Sequence, residues 1–171
     1  MIQSLGASSP RIAAGVFIHP RATVIGDVEI GEDSSVWPGA VIRGDFGPIR
    51  IGRRTSIQDN AVIHADHTGT VIGDDCLIAH LAFIESATVG NACMVAVGAV
   101  LHGARLHSGA VAAAGAVLVG GLEVPSGCRA QGVPARIVAG GSDTAETIAR
   151  GAGRYVEMAR RYASETRAGL P

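Results

Sequence analysis

The stretch Val24-Ile25-Gly26-Asp27-Val28-Glu29-Ile30-Gly31-Glu32-Asp33-Ser34-Ser35-Val36-Trp37-Pro38-Gly39-Ala40-Val41-Ile42 carries an aliphatic side chain at every sixth residue, on Val24, Ile30, Val36 and Ile42. The beat extends back to Ile18 and Ile12. A helix repeats its faces every 3.6 residues and a strand every two, so neither alone calls for a period of six. A triangular β-solenoid does: each flat side of each coil takes about six residues and turns one aliphatic side chain into the core. The same beat returns at Ile51, Ile57 and Ile63, at Ile72, Ile78 and Ile84, at Val89, Val95 and Leu101, and in a last run at Val100, Leu106, Ala112, Leu118 and Val124. Glycine follows several of these positions (Gly31, Gly52, Gly73, Gly90), which predicts corners with unusual backbone angles there. The fold class is therefore an all-β solenoid.

The chain has 171 residues, 24 of them glycine, only 4% aromatic residues and a formal net charge of −1. Small aliphatic layers suit a narrow prism, and the charge balance gives no pull toward nucleic acid or an anionic membrane. Cys76, Cys93 and Cys128 are far apart in sequence and form no CxxC pair, so neither a disulfide framework nor a cysteine zinc site is expected. The N-terminus lacks a charged region followed by an apolar run, and the apolar stretch near 95–119 is broken by glycines and charged residues. A soluble cytoplasmic protein is the expectation.

Residues 1–11 read as an irregular lead-in, residues 1–141 as the solenoid with coils from about 12 to 137, and residues 142–171 as a helix packed on it. The beat is interrupted at Phe46–Arg50, where Gly47-Pro48 marks a turn, and again between Ile63 and Ile72, where about three extra residues form a loop around Ala65–Thr70. Gly132-Val133-Pro134-Ala135 closes the repeats. Asp143 or Thr144 can cap the helix, and Ile148, Ala152, Tyr155, Ala159 and Tyr162 form one apolar stripe. Gly151 and Gly153 weaken it by roughly 1 kcal/mol each.

In this beat His64 follows Ile63 and Glu85 follows Ile84, which places the two on equivalent positions of stacked coils, about 4.8 Å apart and both outward. They could grip one metal ion; the same spacing also suits a surface polar ladder. His80 follows Ile78 by two and sits on another part of the coil. It could reach such an ion only from a neighbouring subunit, as in a cyclic trimer. His19, His102 and His107 have no partner that the spacing identifies. Trp37 is expected at a subunit or helix contact.

The segments Ser35-Val36-Trp37-Pro38-Gly39-Ala40-Val41-Ile42-Arg43-Gly44-Asp45, Ile51 through Ile57-Gln58-Asp59-Asn60-Ala61-Val62-Ile63-His64, Ile72-Gly73 through Ile78-Ala79-His80, Gly132-Val133-Pro134-Ala135-Arg136 and Arg154-Tyr155-Val156-Glu157-Met158 together resemble the gamma-class carbonic anhydrases and their relatives. The resemblance implies a left-handed parallel β-helix with a C-terminal α-helix, a homotrimer, and a zinc-type ion at each subunit interface held by three histidines. The first two match His64 and His80. The third falls on Glu85. Two histidines and a glutamate can ligate zinc, but an anionic ligand lowers the charge felt by bound water, so weak CO2 hydration is expected. An oxygen-richer site also suits Fe, Co or Mn. Gln58 resembles the glutamine that orients the reactive oxygen, and Arg43, Asp45 and Asp59 resemble the charged set that ties subunits together. Asn60 reads as a corner residue. His67, in the inserted loop, is a candidate proton shuttle.

Three functions follow. The first is a metal-dependent lyase or hydrolase acting on CO2 or another small carbonyl substrate. The second is a catalytically inactive trimeric scaffold or binding protein. The third is a hexapeptide acyltransferase, which the short inserted loop disfavours. Self-association and a small-molecule substrate are the expected partners, with no nucleic acid and no membrane.

Overall fold

The structure is a computed structural model that describes residues 1–141 and 144–167; Asp143, one of the two expected capping residues, lies outside them. Backbone hydrogen bonds between successive turns build a left-handed parallel β-helix of about seven turns, with a single C-terminal helix at Ala145–Arg167. Strand register stacks the six-residue beat into three inward columns. One runs Val24, Ile42, Ile63, Ile84, Leu101, Leu118. The second runs Ile18, Val36, Ile57, Ile78, Val95, Ala112, Ala130. The third runs Ile12, Ile30, Ile51, Ile72, Val89, Leu106, Val124. All are buried except Ile12 and Ile18, which lie in the first coil and are half-covered; Val100, which heads the last run of the beat in sequence, faces outward instead, because its neighbour Leu101 takes the inward place in register with Ile84. Each column fills one wall of the prism, so every inward residue fixes which neighbours point outward.

The glycines after the beat do not supply the unusual angles expected of them. Positive φ falls two or three residues later, at Gly15, Asp33, Arg54, Asp75, Ala92, Gly109 and Gly127, one column along one edge of the prism. Gly31, Gly52, Gly73 and Gly90 are required for a different reason. A Cβ on Gly52 would lie 2.6 Å from the Gly73 backbone carbon and 2.7 Å from the Asp74 amide nitrogen, and a Cβ on Gly31 or Gly73 would meet the next rung as closely. These are places where successive backbones touch. Asn60 does turn a corner, with φ of 58°.

Two insertions distort the regular coil, and they stack. Val24 pairs with Ile42 but Val28 pairs with Ile49, so the register slips between Gly26 and Val28 and pushes Asp45–Gly47 outward. The strand Val41–Ile51 nonetheless runs through the expected break. On the next coil the turn Asp66–Gly69 bulges in the same place, with Gly47 against the Asp66 carbonyl oxygen where a Cβ would sit only 1.7 Å away. Thr68 donates to Asp66 Oδ1 from its hydroxyl (2.6 Å) and its amide (2.8 Å). The Thr68 hydroxyl and amide bonds hold the Asp66 carboxyl down at about 2.

The helix covers the wall whose outward residues are Phe17, Leu77, Met94 and Val111. Thr144 Oγ1 accepts from the Thr147 amide at 3.2 Å, closing the first turn. Ile148 and Ala152 pack on Leu77 and Val111, and Ala159 on Phe17 and Trp37. Trp37 meets the rings of Phe17, Tyr155 and Tyr162 and donates from Nε1 to Ser35 Oγ (2.9 Å) and Ser56 Oγ (3.1 Å). It is a helix contact.

The lead-in is not wholly irregular: Ile2–Gln3 pairs in parallel with Val24–Ile25. Two residues are too few to show a period. At the other end Arg129–Gln131 turns back into the antiparallel strand Arg136–Val138. Cys76 and Cys93, far apart in sequence, precede paired residues Leu77 and Met94 and so occupy adjacent rungs. Both are free thiols, donating to the carbonyls of Gly90 (3.0 Å) and His107 (3.2 Å). Among the described residues no helix is long and apolar enough to cross a membrane.

Three substitutions test this reading. Gly52→Ala drives a methyl into the next rung's backbone and is expected to cost roughly 1–3 kcal/mol. Gly153→Ala meets nothing within 4 Å and should stabilise the helix by up to about 1 kcal/mol; urea unfolding measures both. For Asp66, the depressed carboxyl contributes stability that is present above its ordinary value of 3.8 and lost as pH falls toward about 2. Thr68→Ala should raise the Asp66 titration toward 3.8, read by NMR, and move the loss of loop order to higher pH.

Candidate functional site

The first inward column sets an outward one beside it. Ile42, Ile63, Ile84 and Leu101 are followed by Arg43, His64, Glu85 and His102, and the register pairs Arg43 with His64, His64 with Glu85, and Glu85 with His102. The aliphatic residue on each rung holds the strand, and alternation turns its neighbour outward. Four polar side chains, a guanidinium, a carboxylate and two imidazoles, therefore stand in line on one wall.

His64 is the centre of this line. Its Nδ1 lies 2.6 Å from Glu85 Oε1 and its Nε2 lies 2.9 Å from Asp45 Oδ1. Arg43 donates from Nη1 to Asp45 Oδ2. Asp45 reaches His64 because the first insertion carries it out of the regular coil. Burial works against the charge on Asp45, but hydrogen bonds from His64, Arg43 and the backbone outweigh it and hold the carboxyl below its ordinary range. Glu85 uses its second oxygen differently: Oε2 stands 3.9 Å from His102 Nε2, beyond hydrogen-bond range.

Phe46, on the same insertion, is 63% exposed and sets its ring edge-on against His64 (6.0 Å between centroids) and His67 (6.5 Å). It walls one side of the His64 imidazole. His67 is an exposed loop residue in this patch and makes no hydrogen bond to His64 among the described residues.

His80 lies elsewhere on the coil. Its Nδ1 is 3.1 Å from Asp59 Oδ2, and the two side chains are 48% and 41% exposed. Nothing among the described residues holds its Nε2. Gln58 is 5% exposed. Its side chain makes no hydrogen bond to His64, Glu85 or His80 among the described residues. The structure thus brings Arg43, Asp45, His64 and Glu85 together and keeps His80, Asp59 and Gln58 apart from them within one chain. Among the described residues no three His, Cys, Asp or Glu side chains of a single chain converge to hold a metal ion.

Two residues of this wall escaped the sequence reading. His102 follows Leu101 as Glu85 follows Ile84, so the rule that stacked His64 with Glu85 also finds it. Phe46 carried no signal beyond its place in an interruption. Of the other histidines, His107 Nε2 faces Glu123 Oε2 at 3.1 Å and His19 Nδ1 accepts from the Arg21 amide at 3.2 Å.

Residues 9–44 match the family described as bacterial transferase hexapeptide (six repeats). The chain is 44% identical over 88 residues to gamma carbonic anhydrase 2, mitochondrial, of Arabidopsis thaliana, a match covering 47% of this chain and 32% of that protein. It is 41% identical over 90 residues to a carbonic anhydrase of Geobacillus kaustophilus, covering 52% of this chain and 50% of that protein. The chain therefore spans between a third and a half of the length of these curated relatives. Over its whole length it is similar to the crystal structure of a hexapeptide transferase family protein from Anaplasma phagocytophilum, with 34% identity, a TM-score of 0.90, and coverage of 94% of this chain and 97% of that one. With the inward hexapeptide columns and the C-terminal helix of the fold, these matches show the family: the chain belongs to the hexapeptide-repeat family of left-handed β-helix proteins, and its likeness to gamma carbonic anhydrases runs over about half of its length.

Proposed function

We propose that this protein is a metal-dependent enzyme of the gamma-carbonic-anhydrase type that activates water against CO2 or another small carbonyl substrate, with each centre completed between copies of the chain. The observation that carries this reading is the pairing of two half-sites on one chain. Glu85 stands on an outward column flanked by imidazoles, and His80, at a different corner, is braced through Nδ1 by Asp59. A carboxylate behind one ring nitrogen is the usual support of a metal-binding histidine, fixing the tautomer that leaves the other nitrogen free. The donors fit a divalent ion: a glutamate and a histidine from the column with His80 of a second copy make a two-histidine, one-carboxylate set. Zinc suits it, and the oxygen ligand also admits Fe, Co or Mn. A homotrimer supplies the required second copy.

When bound, such an ion supplies Lewis acidity and a nucleophile at neutral pH. The chain's own residues do the rest. Arg43 and Asp45 clamp His64, which orients Glu85. As a ligand, Glu85 would lower the net positive charge of the bound ion relative to a neutral imidazole, which favours slow CO2 hydration. Phe46 shields one side of the site from water. Gln58 offers an uncharged amide that can donate or accept, and His67 sits where it can exchange protons with solvent.

One observation favours an inert trimeric scaffold instead: both ring nitrogens of His64 are already engaged by carboxylates. Metal analysis separates the two. The native chain, reconstituted with zinc, should hold one ion per subunit, and Glu85→Ala and His80→Ala should each lower occupancy at least about tenfold. Glu85→His should raise CO2 hydration measured by stopped flow. A native chain that binds no ion ends the metalloenzyme reading, and a thermal shift on adding acetyl-CoA would point to acyl transfer instead.

A further inference from the structure

The chain has three phenylalanines, two tyrosines and one tryptophan. Phe17, Trp37, Tyr155 and Tyr162 meet ring to ring beneath the helix. The two aromatics that remain flank the polar line of the first wall. Phe83 is half-buried and lies two residues before Glu85, on the same strand and the same face. It stands in an outward apolar column with Val41, Val62, Val100 and Val117. Phe46 comes from the first insertion and stands on the other side of the line, against His64. The two features suit different occupants. A continuous column of five apolar residues is the kind of surface that a second copy of the chain can cover. Phe46 is a single ring, 63% exposed, whose ring neighbours are the imidazoles of His64 and His67. Its free area matches a few methylene groups rather than a protein.

Phe46 is also braced. Its amide donates to Asp45 Oδ1 at 3.2 Å, the same oxygen that meets His64 Nε2. The next residue, Gly47, packs so closely on the second insertion that a Cβ there would lie 1.7 Å from the Asp66 carbonyl oxygen. The backbone that carries the ring is therefore fixed from two sides. An apolar side chain held in water on a fixed backbone gains free energy from any apolar group that covers it, and little ordering cost is charged against that gain. The polar line beside it can hold a carbonyl, and the ring faces whatever the carbonyl carries.

We propose that Phe46 determines the specificity of this site and that its substrates are esters of short-chain apolar carboxylic acids, with the acyl carbons lying on the Phe46 ring and the carbonyl directed toward His64 and Glu85. In the hydrolysis the oxygen of water bonds to the acyl carbon, the bond from that carbon to the alcohol oxygen breaks, and the two protons of water end on the acid and the alcohol. CO2 carries no chain and gains nothing from this contact. This inference rests on the metal-dependent reading above and names the substrate class of the same site.

The test compares full-length native protein, Phe46→Ala and Phe46→Leu, each reconstituted with zinc and checked for melting temperature and oligomeric state. Hydrolysis of p-nitrophenyl acetate, butanoate and hexanoate is measured, and binding of acetate, butanoate and hexanoate is followed by calorimetry. A wholly buried methylene is worth about fourfold, and one covered on a single face about twofold. From acetate to hexanoate, kcat/KM of the native protein should therefore rise at least about tenfold, and carboxylate affinity should rise in step. Phe46→Ala should remove most of both rises, and Phe46→Leu should keep most of them. Four results overturn the inference and leave the metal-dependent reading standing: zinc-dependent hydrolysis with a flat chain-length profile, a rise that survives in Phe46→Ala, zinc-loaded protein that cleaves none of the esters, and dissociation of the oligomer in Phe46→Ala, which assigns the ring to an interface. Native protein that binds no zinc and cleaves no ester overturns both.

Discussion

The constraint beneath everything else is the rung spacing of a parallel β-helix. Successive coils lie about 4.8 Å apart, and one inward aliphatic side chain on each wall locks them in register. Ile42, Ile63, Ile84 and Leu101 are buried in this way. Their immediate neighbours are therefore delivered to the surface in line, at a separation that a hydrogen bond or a shared ion can bridge. Arg43, His64, Glu85 and His102 owe their alignment to apolar packing on the other side of the same strand. A substitution at Ile63 or Ile84 would disturb the chemistry without touching a polar atom.

The insertions add what the regular repeat cannot. A uniform coil turns residues toward solvent at fixed intervals and has no means of folding a carboxylate back over its own wall. The extra residues around Asp45–Gly47 do so, placing Asp45 on His64 and Phe46 beside it. The second insertion supports the first from the next coil, through contact at Gly47 and the turn organised by Asp66 and Thr68. Irregularity of this kind is where repeat proteins hold specific function.

How much of this could be read from the chain depends on whether the feature repeats. The period of six gave the prism, its inward columns and the stacking of His64 with Glu85, because each rests on register alone. The same rule reaches His102, which lies one coil beyond Glu85. Asp45 on His64 and Phe46 beside it were not legible, since both depend on the path of an insertion that breaks the period. The glycines were misread for a related reason. A sequence shows that a Cβ is absent, but not whether the backbone needs positive φ or a close neighbour; at Gly52 it is the neighbour. Ile2–Gln3 was too short to show alternation at all.

The hairpin formed by Arg129–Gln131 and Arg136–Val138 bears on how such a molecule stays discrete. A stack of parallel strands is open-ended, and its last rung offers a template onto which a further strand of the same direction could add. Here the final strand on that wall runs the opposite way. An incoming solenoid would meet a rung of reversed polarity, so it could not continue the parallel register of the coils on that wall and would have to pair there antiparallel, as Arg129–Gln131 does.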